Sequence, residues 1–289
     1  MPLPPDLPLV DHHCHLSPTG EGVEAARRFR RAGGTHLFLA TQNYTRIPPT
    51  RLETYRDQFA TTEELARRVA SEAGVIAHPV VAPFPVDLVQ AESGLGLRAA
   101  TELHLAALDL AGREVSEHRA VALGEVGRPH FPVPASVAEA CESVFIHALE
   151  VGRDVGCPVV VHSEDLDAGG YRALAHLASR VGFPLGKLVK HYARTVASPE
   201  VRMGVVPSYL ARKETAAASL EFPGPWFWET DFLDDPSRPG AVLDLATIPR
   251  RATALAGDPH AVERLWVPFV ESIQKVYGFT PTASKAAAA

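Results

Sequence analysis

Cysteine is scarce in this chain of 289 residues: Cys14, Cys141 and Cys157 make an odd number and include no Cys-x-x-Cys pair. That excludes a disulfide framework and points to a reducing compartment, the cytoplasm. No run of 18 uncharged apolar residues occurs, so no membrane-spanning helix is expected. The first ten residues carry several prolines and no basic side chain, which is not the pattern of a signal peptide. Positive charge is not in excess either: 28 basic against 34 acidic side chains leave a net charge of −6. General attraction for polyanions is thereby excluded, and any contact with nucleic acid has to be local. What is present is ordinary globular material, 46% hydrophobic and 21% charged. That is too apolar for disorder and long enough to bury one large core.

A pattern recurs along most of the chain: a short β-branched run, a polar loop, a helical stretch, then a glycine. The strand-like runs are Pro8–His15, Thr35–Thr41, Val75–Pro83, Ala120–Val126, Pro158–Ser163, Lys187–Tyr192, Gly204–Leu210 and Trp226–Phe232. Segments of 3.6-residue periodicity lie between them, clearest in Leu97–His118 and Ser136–Gly156. Gly33-Gly34, Gly74, Gly156 and Gly182 predict tight helix-to-strand turns. The strand-to-helix connections Gln42–Ala60 and Phe84–Gly96 read as long loops. Eight such units predict an α/β fold, a single-domain (β/α)8 TIM barrel over residues 1–280, with its working end at the C-terminal ends of the strands. Residues 281–289 read as a disordered low-complexity tail. An open doubly wound sheet is the second choice, but no glycine-rich phosphate loop follows the first strand.

Ligand-type residues recur at that working end. His13 and His15 lie two apart on the first strand and therefore share a face; Asp11 is expected one step deeper on it, with His12 and Cys14 turned outward. Glu125 ends the fourth strand, His162 the fifth and His191 the sixth, while Glu229 and Asp231 lie on the eighth. Four imidazoles and two carboxylates on one rim suit zinc, manganese, iron or cobalt. Six donors exceed what one tetrahedral zinc with an open position takes, so two divalent ions are the natural count.

The set His13-x-His15, Glu125, His162, His191 and Asp231 resembles the TatD family of metal-dependent hydrolases, within the amidohydrolase superfamily. The segments Arg31–His36, Gly124-Glu125-Val126-Gly127-Arg128-Pro129-His130 and Glu229–Gly240 are similar to those of its archaeal-type branch. The resemblance implies a TIM barrel in which His13, His15 and Asp231 hold one metal and His162 and His191 the other, with Glu125 between them. Two positions depart from the family. Its nucleases carry Leu-Asp-Tyr where this chain has Arg128-Pro129-His130, and an arginine where it has Glu164.

The expected function is hydrolysis by a hydroxide shared between two divalent ions, zinc first, with manganese, magnesium, cobalt or iron as alternatives. Phosphodiesters, at a nucleic-acid end as in a TatD-like deoxyribonuclease or exonuclease, or small phosphoesters are the expected substrates. Amide, cyclic amide or lactone hydrolysis is the alternative, and a non-catalytic metal-dependent binding or scaffold protein the alternative of another class. Asp231 and Glu125 are the expected catalytic residues, with Asp231 moving the proton. Arg128, His130 and Arg46 are candidate substrate contacts; Tyr44, Arg51, Tyr55 and Arg56 belong to the same expected rim. Asp11 and Glu229 are candidates for steadying the ligands from behind. No membrane and no obligate protein partner is expected, the chain acting as a monomer or homo-oligomer. The remaining cysteines, Trp226 and Trp228 read as core.

Overall fold

Strand runs that are apolar on both faces belong in a parallel sheet covered by helices. The computed structural model, which describes residues 2–45 and 47–283, contains that sheet. Its strands are β1 (Val10–His15), β2 (His36–Ala40), β3 (Ile76–Val81), β4 (Ala122–Gly127), β5 (Val159–His162), β6 (Leu188–Ala193), β7 (Val206–Leu210), β8 (Phe227–Glu229) and β9 (Phe232–Leu233). All described pairings are parallel, in the order β8-β7-β6-β5-β4-β3-β2-β1-β9. The pieces β8 and β9 are one strand interrupted at Thr230-Asp231. The first pairs with β7 through Leu210 and Glu229, and the second pairs with β1 through Cys14 and Phe232. The break is thus the seam that closes the barrel. The expected eighth strand, Trp226–Phe232, is correct in place and divided in two.

Helices wrap the outside: α1 (Val23–Arg31), α2 (Leu52–Arg68), α3 (Pro85–Leu95), α4 (Leu97–Ser116), α5 (Ala135–Val155) and α6 (Ala168–Arg180), followed by shorter ones as far as Tyr277. Two expected loops are corrected here. Phe84–Gly96 is almost wholly α3, started by Pro85 at a position where a missing N–H costs nothing. Gln42–Ala60 is loop only to Arg51, which precedes α2. Gly156 ends α5 in the left-handed conformation, which its φ of 73° requires of a residue without Cβ. Residues 284–289 of the expected tail lie outside the described residues.

Each strand contributes to an apolar barrel interior: Val10, Phe38, Val80, Ala122, Val160, Val189, Val206 and Phe227. At roughly 1.5–3 kcal/mol for each buried valine or phenylalanine, this ring is a principal source of stability. His12, expected to face outward, belongs to the interior. It stacks on Phe227 at 3.9 Å, and its Nδ1 and Nε2 meet Ser208 Oγ at 3.1 Å and Tyr277 Oη at 2.7 Å. The cause is a register shift between Asp11 and Cys14, which breaks the two-residue alternation assumed for the whole strand. Cys14 does face outward, and Cys141, Cys157, Trp226 and Trp228 are buried as expected.

Candidate metal centre

The strands that carry the candidate ligands are irregular where the ligands sit. Register shifts fall between Asp11 and Cys14 on β1, between Gly124 and Val126 on β4, and between Lys190 and Ala193 on β6. The fourth irregularity is the β8–β9 break at Asp231. Bulges bend a strand and re-aim a side chain. Here three of them turn His13, Glu125 and His191 toward one point. Tyr192 and Asp231 have φ of 54° and 49°, a left-handed backbone that costs a side-chain-bearing residue of order 1–3 kcal/mol. Close strand packing explains the glycine before Glu125, since a Cβ on Gly124 would lie 2.6 Å from Val160 Cβ.

The six rim residues meet. Glu125 lies at the centre, its two oxygens facing different partners. Oε1 is 2.5 Å from His191 Nε2, 3.0 Å from His162 Nδ1 and 3.7 Å from His13 Nε2, whereas Oε2 is 3.6 Å from His15 Nε2. Asp231 Oδ1 stands 3.8 Å from His13 Nε2 and 3.6 Å from His15 Nε2. The donors fall into a set of His13, His15 and Asp231 and a set of Glu125, His162 and His191, and a third grouping of His13, His191 and Glu229 overlaps both.

The chemistry of these donors fits divalent metal. His15 Nδ1 donates to the Ala40 carbonyl at 3.2 Å, so its Nε2 presents a lone pair inward when the ring is neutral. That lone pair faces His13 Nε2 at 3.2 Å with two carboxylates alongside. The cluster is built to hold positive charge. Burial works against a charged His191, yet Glu125 and Glu229 push it up to about 10. Burial likewise opposes ionisation of Glu125, but the His191 and His162 rings hold it well below the usual carboxylate range. Burial, reinforced by His191, takes His13 well below its ordinary value.

The supporting residues divide differently from expectation. Glu229 is fully buried; its Oε1 accepts the Tyr192 N–H at 2.6 Å and lies 3.4 Å from His191 Nδ1. His191 Nδ1 and Glu229 Oε2 are buried without a hydrogen-bond partner among the described residues. Asp11 touches no ligand imidazole. The bulge turns its carboxylate to the barrel seam, where Oδ1 accepts the His13 N–H at 3.2 Å and the Thr230 N–H at 3.0 Å, and Oδ2 accepts the Thr230 hydroxyl. Burial pushes this carboxyl up to about 8 against those hydrogen bonds.

Of the expected substrate contacts, His130 reaches the centre, with Nδ1 3.0 Å from His162 Nε2. Arg128 does not line the cavity; it forms a two-pronged ion pair with Glu164, so the two departures from the family pattern answer each other. Arg46 lies outside the described residues. Tyr55 is buried on α2, 3.1 Å from His104 Nε2, and is no rim residue. Tyr44 bonds Thr62 through its hydroxyl, while Arg51 and Arg56 are exposed.

The donors open into a cavity of about 810 Å³ with an apolar wall that includes Phe84, Val86, Phe131 and Leu233. Phe84 and Asp87 are site residues that the sequence reading missed. Their signal is present in Phe84-Pro85-Val86-Asp87, a strand exit followed by proline and an acid in the first helical turn.

A family model described as TatD related DNase matches residues 10–277. The chain belongs to that family. An uncharacterized protein of Methanocaldococcus jannaschii is 30% identical over 253 residues, covering 84% of this chain and 86% of the relative. Among solved structures, the TatD-like protein of Archaeoglobus fulgidus matches with a TM-score of 0.61 at 15% identity, over 93% of this chain and all of that one. A TatD homologue from Escherichia coli matches with the same TM-score at 16% identity, over 94% and 98% of the two chains. The chain is thus a TatD-family hydrolase whose His, Glu and Asp clusters suit divalent metal. No helix among the described residues is long and apolar enough to cross a membrane.

Proposed function

We propose that this TatD-family member hydrolyses a phosphoester, with two divalent cations, zinc by preference, held by the two donor sets. The observation that carries the reading is the reach of the Glu125 carboxylate to both donor sets, with Oε1 nearest His191 and His162 and 3.7 Å from His13, and Oε2 3.6 Å from His15. When bound, such ions lower the pKa of a water toward about 7 and polarise a phosphoryl or carbonyl oxygen. His13, His15 and Asp231 would hold one ion and His162 and His191 the other, with Glu125 spanning both.

Asp231 lies at the mouth with 16% of its side chain exposed, within reach of both His13 and His15. Its carboxylate takes the proton of the attacking water as the new oxygen–phosphorus bond forms. It then returns that proton to the departing oxygen as the old bond breaks. Glu229 steadies His191 from behind, and Asp11 steadies the backbone on which His13 and Asp231 are set.

A second reading, hydrolysis of a neutral lactone, amide or cyclic amide, is favoured by one observation. Glu164 offsets the charge of Arg128 at the rim, beside an apolar cavity wall.

The deciding experiment is release of mononucleotides from an end-labelled single-stranded oligonucleotide, and of nitrophenol from bis(p-nitrophenyl) phosphate. Protein loaded separately with zinc, manganese or magnesium is compared with the double variant His13→Ala, His15→Ala. Metal-dependent release that the double variant lacks supports the phosphoester reading. No release from protein shown to hold two ions per chain transfers the assignment to lactones and amides, and inertness toward those too would leave a binding protein.

A further inference from the structure

Asp87 occupies the first turn of α3 on the wall of the same cavity, with only 4% of its surface exposed. A carboxyl at that depth normally answers to a cation, because stripping its charge of water costs several kcal/mol. The cavity's cations are engaged elsewhere. Arg194 lies 4.0 Å from Asp165 and Arg238 2.9 Å from Asp235. No ion pair to Asp87 is present among the described residues; burial pushes its carboxyl up to about 7, and a hydrogen bond with Asn43 opposes that. An acid in a first helical turn is ordinarily explained by the helix dipole, but an exposed carboxylate serves that purpose without losing its water. Burial beside a cavity calls for a different account.

This carboxyl shares its cavity with the metal centre. Phe84, immediately before α3, stands edge-on to the His162 ring at 4.8 Å. Asp87 follows three residues later, about 4.5 Å of helical rise further on. Phe84, Val86 and Phe131 add apolar surface to the same cavity, and its 810 Å³ falls in the range that encloses drug-sized molecules. A ligand with its ester at the donors thus shares its cavity with an apolar wall and a hydrogen-bond acceptor.

We propose that Asp87, with Asn43 beside it, is a recognition subsite for an amino or amide N–H on the planar, apolar part of the substrate. The class this fits is an amino-bearing heterocycle joined to a phosphoester, of which a nucleotide is the simplest member. The proposal rests on the hydrolase reading only for where the scissile bond lies. An analogue without the N–H would leave a buried acceptor unpaired, which is what makes polar pockets selective.

The test is equilibrium binding of adenosine 5′-monophosphate and purine riboside 5′-monophosphate, which differ only by the exocyclic amine, to metal-loaded protein. The wild type is expected to prefer the amino compound by about 10-fold or more. In Asp87→Ala the preference falls to about 1, through loss of affinity for the amino compound alone. Asp87→Leu, closer in volume and without an acceptor, replaces it if the alanine variant does not fold. A merely structural Asp87 would weaken both ligands together and leave their ratio as it was. That result, equal affinities in the wild type, or binding of neither at millimolar concentration overturns the subsite. Hydrolysis of bis(p-nitrophenyl) phosphate by the wild type is measured separately, because it has no N–H donor. Its absence would remove the phosphoester reading while the binding ratio still judged Asp87.

Discussion

Glu229 Oε1 accepts the amide of Tyr192 at 2.6 Å, and so clamps the left-handed turn that directly follows His191. The same oxygen lies 3.4 Å from His191 Nδ1, so one buried carboxylate holds the backbone after His191 and sets its charge against the ring.

Glu229→Gln keeps an oxygen for the Tyr192 amide but gives up the charge facing His191. It is expected to weaken metal affinity by about 10- to 100-fold, as loss of a partner behind a ligand usually does. Glu229→Ala should lose stability as well, because the Tyr192 N–H is then unpaired. Metal titration followed by dialysis and elemental analysis, beside a thermal melt of each variant, separates the two effects. Unchanged affinity in both would show that Glu229 only fills space.

Asp231→Asn is expected to retain most of the metal, since His13, His15 and Glu125 remain, while turnover falls by about 100-fold or more. Metal content and kcat measured on the same preparation decide it. Wild-type kcat at full metal occupancy would remove Asp231 from proton transfer.

The ion pair of Arg128 with Glu164 is about half exposed and should be worth no more than about 1 kcal/mol to stability. Its effect on substrate is expected to be larger. Glu164→Gln frees a cation at the rim and should lower KM for an anionic phosphoester, whereas Arg128→Ala leaves Glu164 unpaired on the cavity wall and should raise it; both effects should shrink at high salt. A rise in KM for Glu164→Gln would mean that Glu164 itself binds substrate.

Asp87 also has a signature in stability. Its carboxyl is raised by burial from 3.8 to about 7, so the folded chain binds a proton that the unfolded chain releases. Stability from this group is present below about pH 4 and is lost as the pH rises through about 7. Asp87→Asn has no such loss, so at pH 8 it should be the more stable protein, by about 2–4 kcal/mol, because a tenfold change in proton affinity is worth about 1.36 kcal/mol. Melting curves at pH 4 and pH 8 check the sign; a gap of equal size at both values would rule out titration as its cause.

Metal removal should be felt by the fold. Ions that bind only the folded state add about 2.7 kcal/mol at 100 times their dissociation constant. Chelation is therefore expected to lower the melting temperature, zinc to restore it, and His13→Ala, His15→Ala to blunt the response.

The barrel and the six rim residues are legible in the sequence because each depends on local pattern. β-Branched runs mark strands, and His13, His15, Glu125, His162 and His191 lie on them, with Asp231 in the break between β8 and β9. What is not legible depends on partners far along the chain. Asp11 leaves the expected face because its carboxylate pairs with Thr230, 219 residues away, across the seam. Arg128 reads as a free cation until the fold brings Glu164 to it. Tyr55 and Arg56 read as rim residues because the start of α2 is marked by no capping side chain.

The break between β8 and β9 has a consequence for how the protein acquires activity. Asp231 N–H donates to the His13 carbonyl at 3.0 Å, joining residues from opposite ends of the chain. A chain still lacking its last strand has neither Asp231 beside His13 and His15 nor Glu229 against His191. Ring closure and the gathering of the six rim residues therefore depend on the same contact, and opening the seam would take Asp231 away from His13 and His15.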